Sequence, residues 1–330
     1  MALKFGPAGT LYFMKERDRF DQSTFPFVKI GIVKGDADVK RREDDHQTGN
    51  PREIYSHKEI ASPGVQMLET FMHNFFAPQR IKGEWFRDEL LDRMIAEAET
   101  RKTDLKSAEA FHSELSDVDL AASASTFNPS TEASTDADLA RRWMLESSLK
   151  NHRRQRKAIS DRMVELWNED YVDFFKKITA KPKNEFQVGI AKKLYPALAK
   201  EYIEETKVWK RVWLSPASHQ QSTTEDPSGF SDLLTSSSME ELHGAYLDGW
   251  SQSAEVEWEL VNLEARLFAE LGTNQVLAQK GEAVLKWEKK SSLSFNKAAF
   301  VEAHPEEASK CMKSDPGGDS YSAAEWKCYS

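Results

Sequence analysis

Two apolar runs near the start, residues 10–15 (TLYFMK) and 25–33 (FPFVKIGIV), constrain this chain more than any other feature. Both are dense in β-branched and aromatic residues, and only the polar stretch ERDRFDQST separates them. They predict two short, buried strands. KGDAD then supplies turn and N-cap chemistry for a short helix, VKRREDDH, which the TGNP turn at 48–51 closes. EIYSHKEI predicts a third strand. Pro63 and Gly64 open VQMLETFMHNFF, where Val65, Leu68, Met72, Phe75 and Phe76 recur at helical spacing. The order β, β, α, β, α predicts an α+β unit over residues 1–90, a small and mostly antiparallel sheet flanked by helices.

Past Trp85 the character changes. A length of 330 residues calls for at least two units. FRDELLDRMIAEAETRKTDLKSAEAFHSEL predicts a helical spacer, and 116–136, rich in Ser, Thr and Ala, a linker, so that 91–136 joins the first unit to the rest. Residues 137–330 are expected to be mainly α-helical. Over 137–180, Leu145, Leu149, Ile159, Met163 and Leu166 give a coiled-coil pattern, broken where His152 and Arg156 occupy the seam. Further helices are expected at 185–212 and 239–271, then a small β-hairpin turning at Lys280-Gly281 and a last helix through FNKAAFVEAH. No internal repeat is evident.

Composition limits the function. The net charge of -9 argues against a protein that coats nucleic acid over its whole surface. The charge is uneven: residues 1–86 carry 13 Lys+Arg against 12 Asp+Glu, and the remainder 32 against 42. DNA is therefore better tolerated by the first segment. Two cysteines, Cys311 and Cys328, lack metal-ligand spacing, so neither a zinc site nor a disulfide framework is expected. No run approaches the roughly 20 apolar residues of a membrane span, and the start lacks a secretory signal, which predicts a cytoplasmic protein with no membrane partner.

Hydrolysis of a phosphodiester needs a divalent cation on carboxylate, a cationic group on the phosphate and a group that orients or deprotonates water. The first 86 residues contain each. In order they offer LYFMK, VKIG, Arg42 with His46 four residues on, QTGNP, LETFMH and GEWF. This series resembles the GIY-YIG nuclease superfamily, in particular its phage-associated branch with KIG and GEWF, over residues 8–90. The resemblance implies a metal-dependent endonuclease that cuts DNA.

It also implies roles. Tyr12 matches the tyrosine of the first signature, although Thr10 stands where the family has glycine. Lys29 replaces the tyrosine of the second signature, as general base or as phosphate ligand. Arg42 matches the phosphate-gripping arginine, because Arg41 faces about 100° away on the helix, and Arg41 is the fallback. Glu69 matches the glutamate that binds Mg²⁺ or Mn²⁺, with His46 and His73 each placed to reach the site. Lys34, Arg41 and Arg42 are the expected DNA contacts. The alternative is a catalytically inactive GIY-YIG-like DNA-binding or scaffold protein, in which Thr10 and Lys29 record a site that no longer cuts.

Outside this segment, KNHRRQRK at 150–157 is expected to be a solvated helix face. Trp258 to Gly272, LKW at 285–287 and FNKAAFVEAHPE are weakly similar to the C-terminal accessory segment of YqaJ-type phage recombination exonucleases. The helical region is then expected to position DNA, to form a homodimer or to bind a partner protein.

Overall fold

The structure, a computed structural model, describes residues 3–121, 131–132, 136–180, 183–214, 230–315 and 317–325. The first unit contains β1 (Gly9–Arg17), β2 (Thr24–Lys34), α1 (Val39–Gln47), β3 (Glu53–Ser62), α2 (Val65–Phe75), β4 (Arg80–Lys82) and β5 (Trp85–Arg87). Its five strands form one sheet in the order β3-β1-β2-β5-β4, every pair antiparallel. The expected order β, β, α, β, α holds, and the Asp38 side chain caps α1 by accepting from the Lys40 amide at 2.9 Å. The GEWF segment itself supplies β5, a strand absent from the sequence reading.

Strand alternation divides the side chains between two faces. Leu11, Phe13, Val28, Ile30 and Phe86 point into the main core under α2, while Tyr12, Met14 and Val33 point the other way and pack with Val39 of α1 and Ile54. Each fully buried large side chain contributes roughly 1.5–3 kcal/mol. The chemistry-bearing face of the sheet is therefore tied down by its own small core.

The remainder comprises α3 (Leu91–Ala121), β6 (Thr131–Glu132), α4 (Asp136–Glu165), β7 (Phe175–Ala180) and β8 (Lys183–Phe186). Next come α5 (Val188–Leu194), α6 (Pro196–Glu201), β9 (Ile203–Trp213), α7 (Phe230–Ser236) and α8 (Met239–Leu271). The chain ends with β10 (Val276–Gln279), β11 (Glu282–Phe295), α9 (Lys297–Ala303), α10 (Pro305–Lys310), β12 (Met312–Asp315) and β13 (Gly318–Ala323). No helix among the described residues is long and apolar enough to cross a membrane.

The main core does not stop near residue 90. Met94, Ala98 and Leu105 of α3 and Ala254 and Trp258 of α8 belong to the same cluster as the sheet, and the Phe71 ring lies 4.9 Å from the Trp258 ring. What was expected to be a spacer is, in its first half, core. The linker expected at 116–136 begins inside α3, and apart from the two residues of β6 the rest, 122–130 and 133–135, lies outside the described residues.

The coiled-coil pattern becomes an antiparallel pair. Arg142 of α4 bonds Glu264 of α8, Arg141 meets Glu259 at 2.5 Å, and Arg156 stacks on Trp250 at 3.6 Å. Arg156 fits the seam because Gly249 leaves room for it; a Cβ there would stand 2.7 Å from Arg156 Cγ. The KNHRRQRK stretch is accordingly split, with Lys157 solvated and Arg156 half-buried.

Two expectations are corrected beyond α4. The helix expected at 185–212 is instead β8, α5, α6 and β9, because IEETKVWKRVW pairs along its whole length with β11, from Ile203–Phe295 to Trp213–Leu285. The helix at 239–271 is present as expected, and the last helix through FNKAAFVEAH appears as α9. The hairpin turn at Lys280-Gly281 is present, both residues having positive φ (51° and 79°), but β11 runs on to Phe295.

An internal repeat is also present. β8-α5-α6-β9 and β11-α9-α10-β12 follow one course, with Tyr195 (φ -131°, ψ 60°) matched by His304 (φ -134°, ψ 64°) and a proline after each. The Gln187 amide donates to the Cys311 carbonyl at 2.9 Å, and the Asn296 amide donates to the Tyr202 carbonyl at 2.8 Å. β8 pairs with β12 and β9 with β11, so the two halves are related by a pseudo-twofold around a shared core of Phe186, Ala191, Phe300, Ala308 and Cys311.

Candidate active site

Tyr12 of β1 stands opposite Gly31 of β2, and its ring lies across that glycine. A methyl group at residue 31 would overlap the Tyr12 hydroxyl. Met14 stands opposite Lys29, and Lys29 opposite Trp85 of β5, so Lys29 shares the face of Tyr12. Lys29 is 7% exposed, and its Nζ is held by the Glu84 carboxylate in the β4–β5 turn. Arg42 and His46 follow one turn apart on α1. Arg42 is half-exposed and 3.7 Å from Asp45. The His46 Nε2 atom is buried without a hydrogen-bond partner among the described residues.

These side chains act on one another. Burial, then Glu84, pushes the Tyr12 hydroxyl up to about 12, against the pull of Arg42. Burial, then Glu84, pushes the Glu69 carboxyl up to about 7, opposed by Lys34, Lys29 and Arg42. Burial lowers the pKa of His46, and Lys29 and Arg42 lower it further. Residues from β1, β2, α1, α2 and the β4–β5 turn thus share one electrostatic neighbourhood. At neutral pH it contains a protonated tyrosine, a lysine committed to a carboxylate and a neutral histidine.

His73 stands apart from this group in its contacts. Its Nε2 lies 3.1 Å from the Ile30 carbonyl, to which it donates, and burial followed by Arg80 holds its pKa down at about 4. It pins α2 against β2. Arg41, Arg42 and Lys34 line a cleft of about 430 Å³ with Asp38 and Asp45, beside the site. Lys34 Nζ is 3.1 Å from Gln66.

Glu69 makes no hydrogen bond or ion pair among the described residues, yet it is half-buried and shifted toward the neutral form. A carboxylate with its charge unmet suits a hard divalent cation that keeps most of its waters. Among the described residues no group of three or more His, Cys, Asp or Glu side chains could hold a metal, so Glu69 would bind it with at most Glu84 beside it. Glu84 is the residue that sequence reasoning left out of the site. Its lowered pKa reflects the hydrogen bond and charge of Lys29 overcoming burial. The signal was present in the unpartnered buried lysine at position 29, which needed an acid somewhere. Arg80, half-buried and influenced by Glu325, Glu84 and Glu69, was also missed.

No family model, curated protein or solved structure matches this chain. The site therefore has to be read from its own chemistry.

Proposed function

We propose that the first unit hydrolyses DNA phosphodiester bonds as a GIY-YIG-type endonuclease using Mg²⁺ or Mn²⁺. One observation carries this reading: Tyr12, His46 and Glu69, far apart in sequence and on three elements, each have their ionisation shifted by the charge of Arg42, and His46 and Glu69 also by that of Lys29.

Glu69 would hold the cation, which when bound supplies Lewis-acid charge at the scissile phosphate. Arg42, exposed at the rim, takes a non-bridging phosphate oxygen and the charge that develops there. His46 is the proton acceptor. Its pKa is lowered, its Nε2 has no hydrogen-bond partner among the described residues, and the other two candidates are poorly suited: Tyr12 is pushed up to about 12 and Lys29 is bound to Glu84. Tyr12 keeps its proton and orients the attacking water, while the Lys29–Glu84 pair fixes the floor of the site.

A second reading has support in that same ion pair. Lys29 replaces the family's tyrosine and is neutralised by Glu84, which suits a site retained for binding alone. Labelled duplex, flapped and single-stranded DNA incubated with Mg²⁺, Mn²⁺ or chelator distinguishes the two. Metal-dependent cleavage by wild type that Arg42→Ala and His46→Ala each reduce by about 100-fold supports the nuclease. Intact binding without cleavage under either ion supports the inactive form.

A further inference from the structure

Alternate residues along β2 form a track on the face that carries the site. Phe25, Phe27, Lys29 and Gly31 all point the same way, at about 7 Å per step. Phe27 and Trp85 line a small, mainly apolar pocket of about 230 Å³ with Ile81, Glu16 and Lys82. Trp85 is the direct cross-strand partner of Lys29 and the neighbour of Glu84, so the pocket is continuous with the proposed site. Both aromatic rings are only partly buried, and Lys82 is exposed at the rim. One step further out the Arg52 guanidinium lies 3.7 Å from the Phe25 ring centre. Glu16 closes the pocket; its carboxylate is held by Asn50 at 2.7 Å and Arg52 at 3.0 Å and presents a fixed acceptor.

We propose that this pocket receives an unstacked nucleobase of a single-stranded DNA segment, placing the adjoining phosphate toward Arg42. The inference rests on the nuclease reading and gives it a substrate class. A partly open aromatic slot beside cations is an arrangement by which proteins hold unpaired bases, since every base offers a flat face for stacking and the backbone seeks positive charge. A base paired within a duplex cannot enter such a slot without leaving its stack. The pocket therefore selects single-stranded segments, such as flaps and junction arms, over continuous duplex.

The test measures binding in chelator, so that no cleavage intervenes. Wild type, Trp85→Ala, Phe27→Ala and Trp85→Phe are titrated into a labelled single-stranded oligonucleotide, the same length of duplex, and a single strand of abasic sites. Trp85→Ala and Phe27→Ala are expected to weaken single-strand binding roughly 5- to 100-fold, with duplex and abasic binding unchanged and Trp85→Phe largely restored. Far-UV circular dichroism separates these effects from misfolding, and Trp85→Phe, which keeps a flat ring on β5, reports on stacking if Trp85→Ala fails to fold. Equal wild-type binding to base-bearing and abasic strands overturns the pocket but leaves the nuclease reading standing. Absence of binding to any DNA overturns both.

Discussion

Replacing Glu69 with glutamine should make this protein more stable above about pH 4.5, with the full gain reached near pH 7. In the unfolded chain Glu69 ionises near 4.5, whereas in the folded site burial and Glu84 move it to about 7. Below 4.5 both states are neutral and folding carries no penalty from this group. As pH rises through the folded value, the stability present at low pH is lost. At about 1.4 kcal/mol per pH unit, the full displacement amounts to about 3 kcal/mol above pH 7. Glu69→Gln, neutral throughout, should match wild type at pH 4.5 and exceed it by about that amount at pH 8. Urea unfolding followed by far-UV circular dichroism across this range measures the difference. Millimolar Mg²⁺ at pH 8 should stabilise wild type and leave the variant unmoved, because only the carboxylate binds the ion. A stability difference that does not change with pH would refute the argument, as would equal stabilisation of both proteins by Mg²⁺.

Other groups give further tests. His73 ionises at 6.5 unfolded and about 4 folded, so its contribution is present above pH 6.5 and is lost as pH falls toward 4; His73→Gln should flatten that loss in urea midpoints. Its slope opposes that of Glu69 in the same window. Gly31→Ala should displace the Tyr12 hydroxyl and lower kcat by about tenfold or more, a change of about 1.4 kcal/mol, with the circular dichroism spectrum unchanged. Gly249→Ala should lower the melting temperature despite alanine's better helix propensity, because its methyl meets Arg156 Cγ at 2.7 Å. A melting temperature at or above that of wild type would show that the α4–α8 seam relaxes freely.

The first unit was legible because its signals are local. Period-two runs, the Asp38 cap and the Pro63-Gly64 break each act within a few residues, and β1, β2, α1, β3 and α2 all appear where they were expected. Glu84 escaped because its partner Lys29 is 55 residues away, a distance that composition cannot bridge. Past residue 136 non-local pairing decides. IEETKVWKRVW is a strand because β11 is there to receive it along its whole length, a partner that local sequence does not reveal. The repeat was hidden because Phe186/Phe295, Pro196/Pro305 and Ala199/Ala308 are among its few shared identities, and only backbone geometry reveals the correspondence. The core across α3 and α8 was missed for a related reason: Met94, Ala98 and Trp258 carry no mark of which partner they will bury against.

In the proposed mechanism Glu69 anchors a metal-dependent hydrolytic site. Supercoiled plasmid incubated at low salt with wild type or Glu69→Ala, in Mg²⁺, Mn²⁺ or EDTA, tests it most directly. Wild type should nick or linearise the plasmid, and this cleavage should disappear both in EDTA and in the variant, with the variant still folded. Cleavage by Glu69→Ala at the wild-type rate, or the same cleavage by wild type in EDTA, would contradict it.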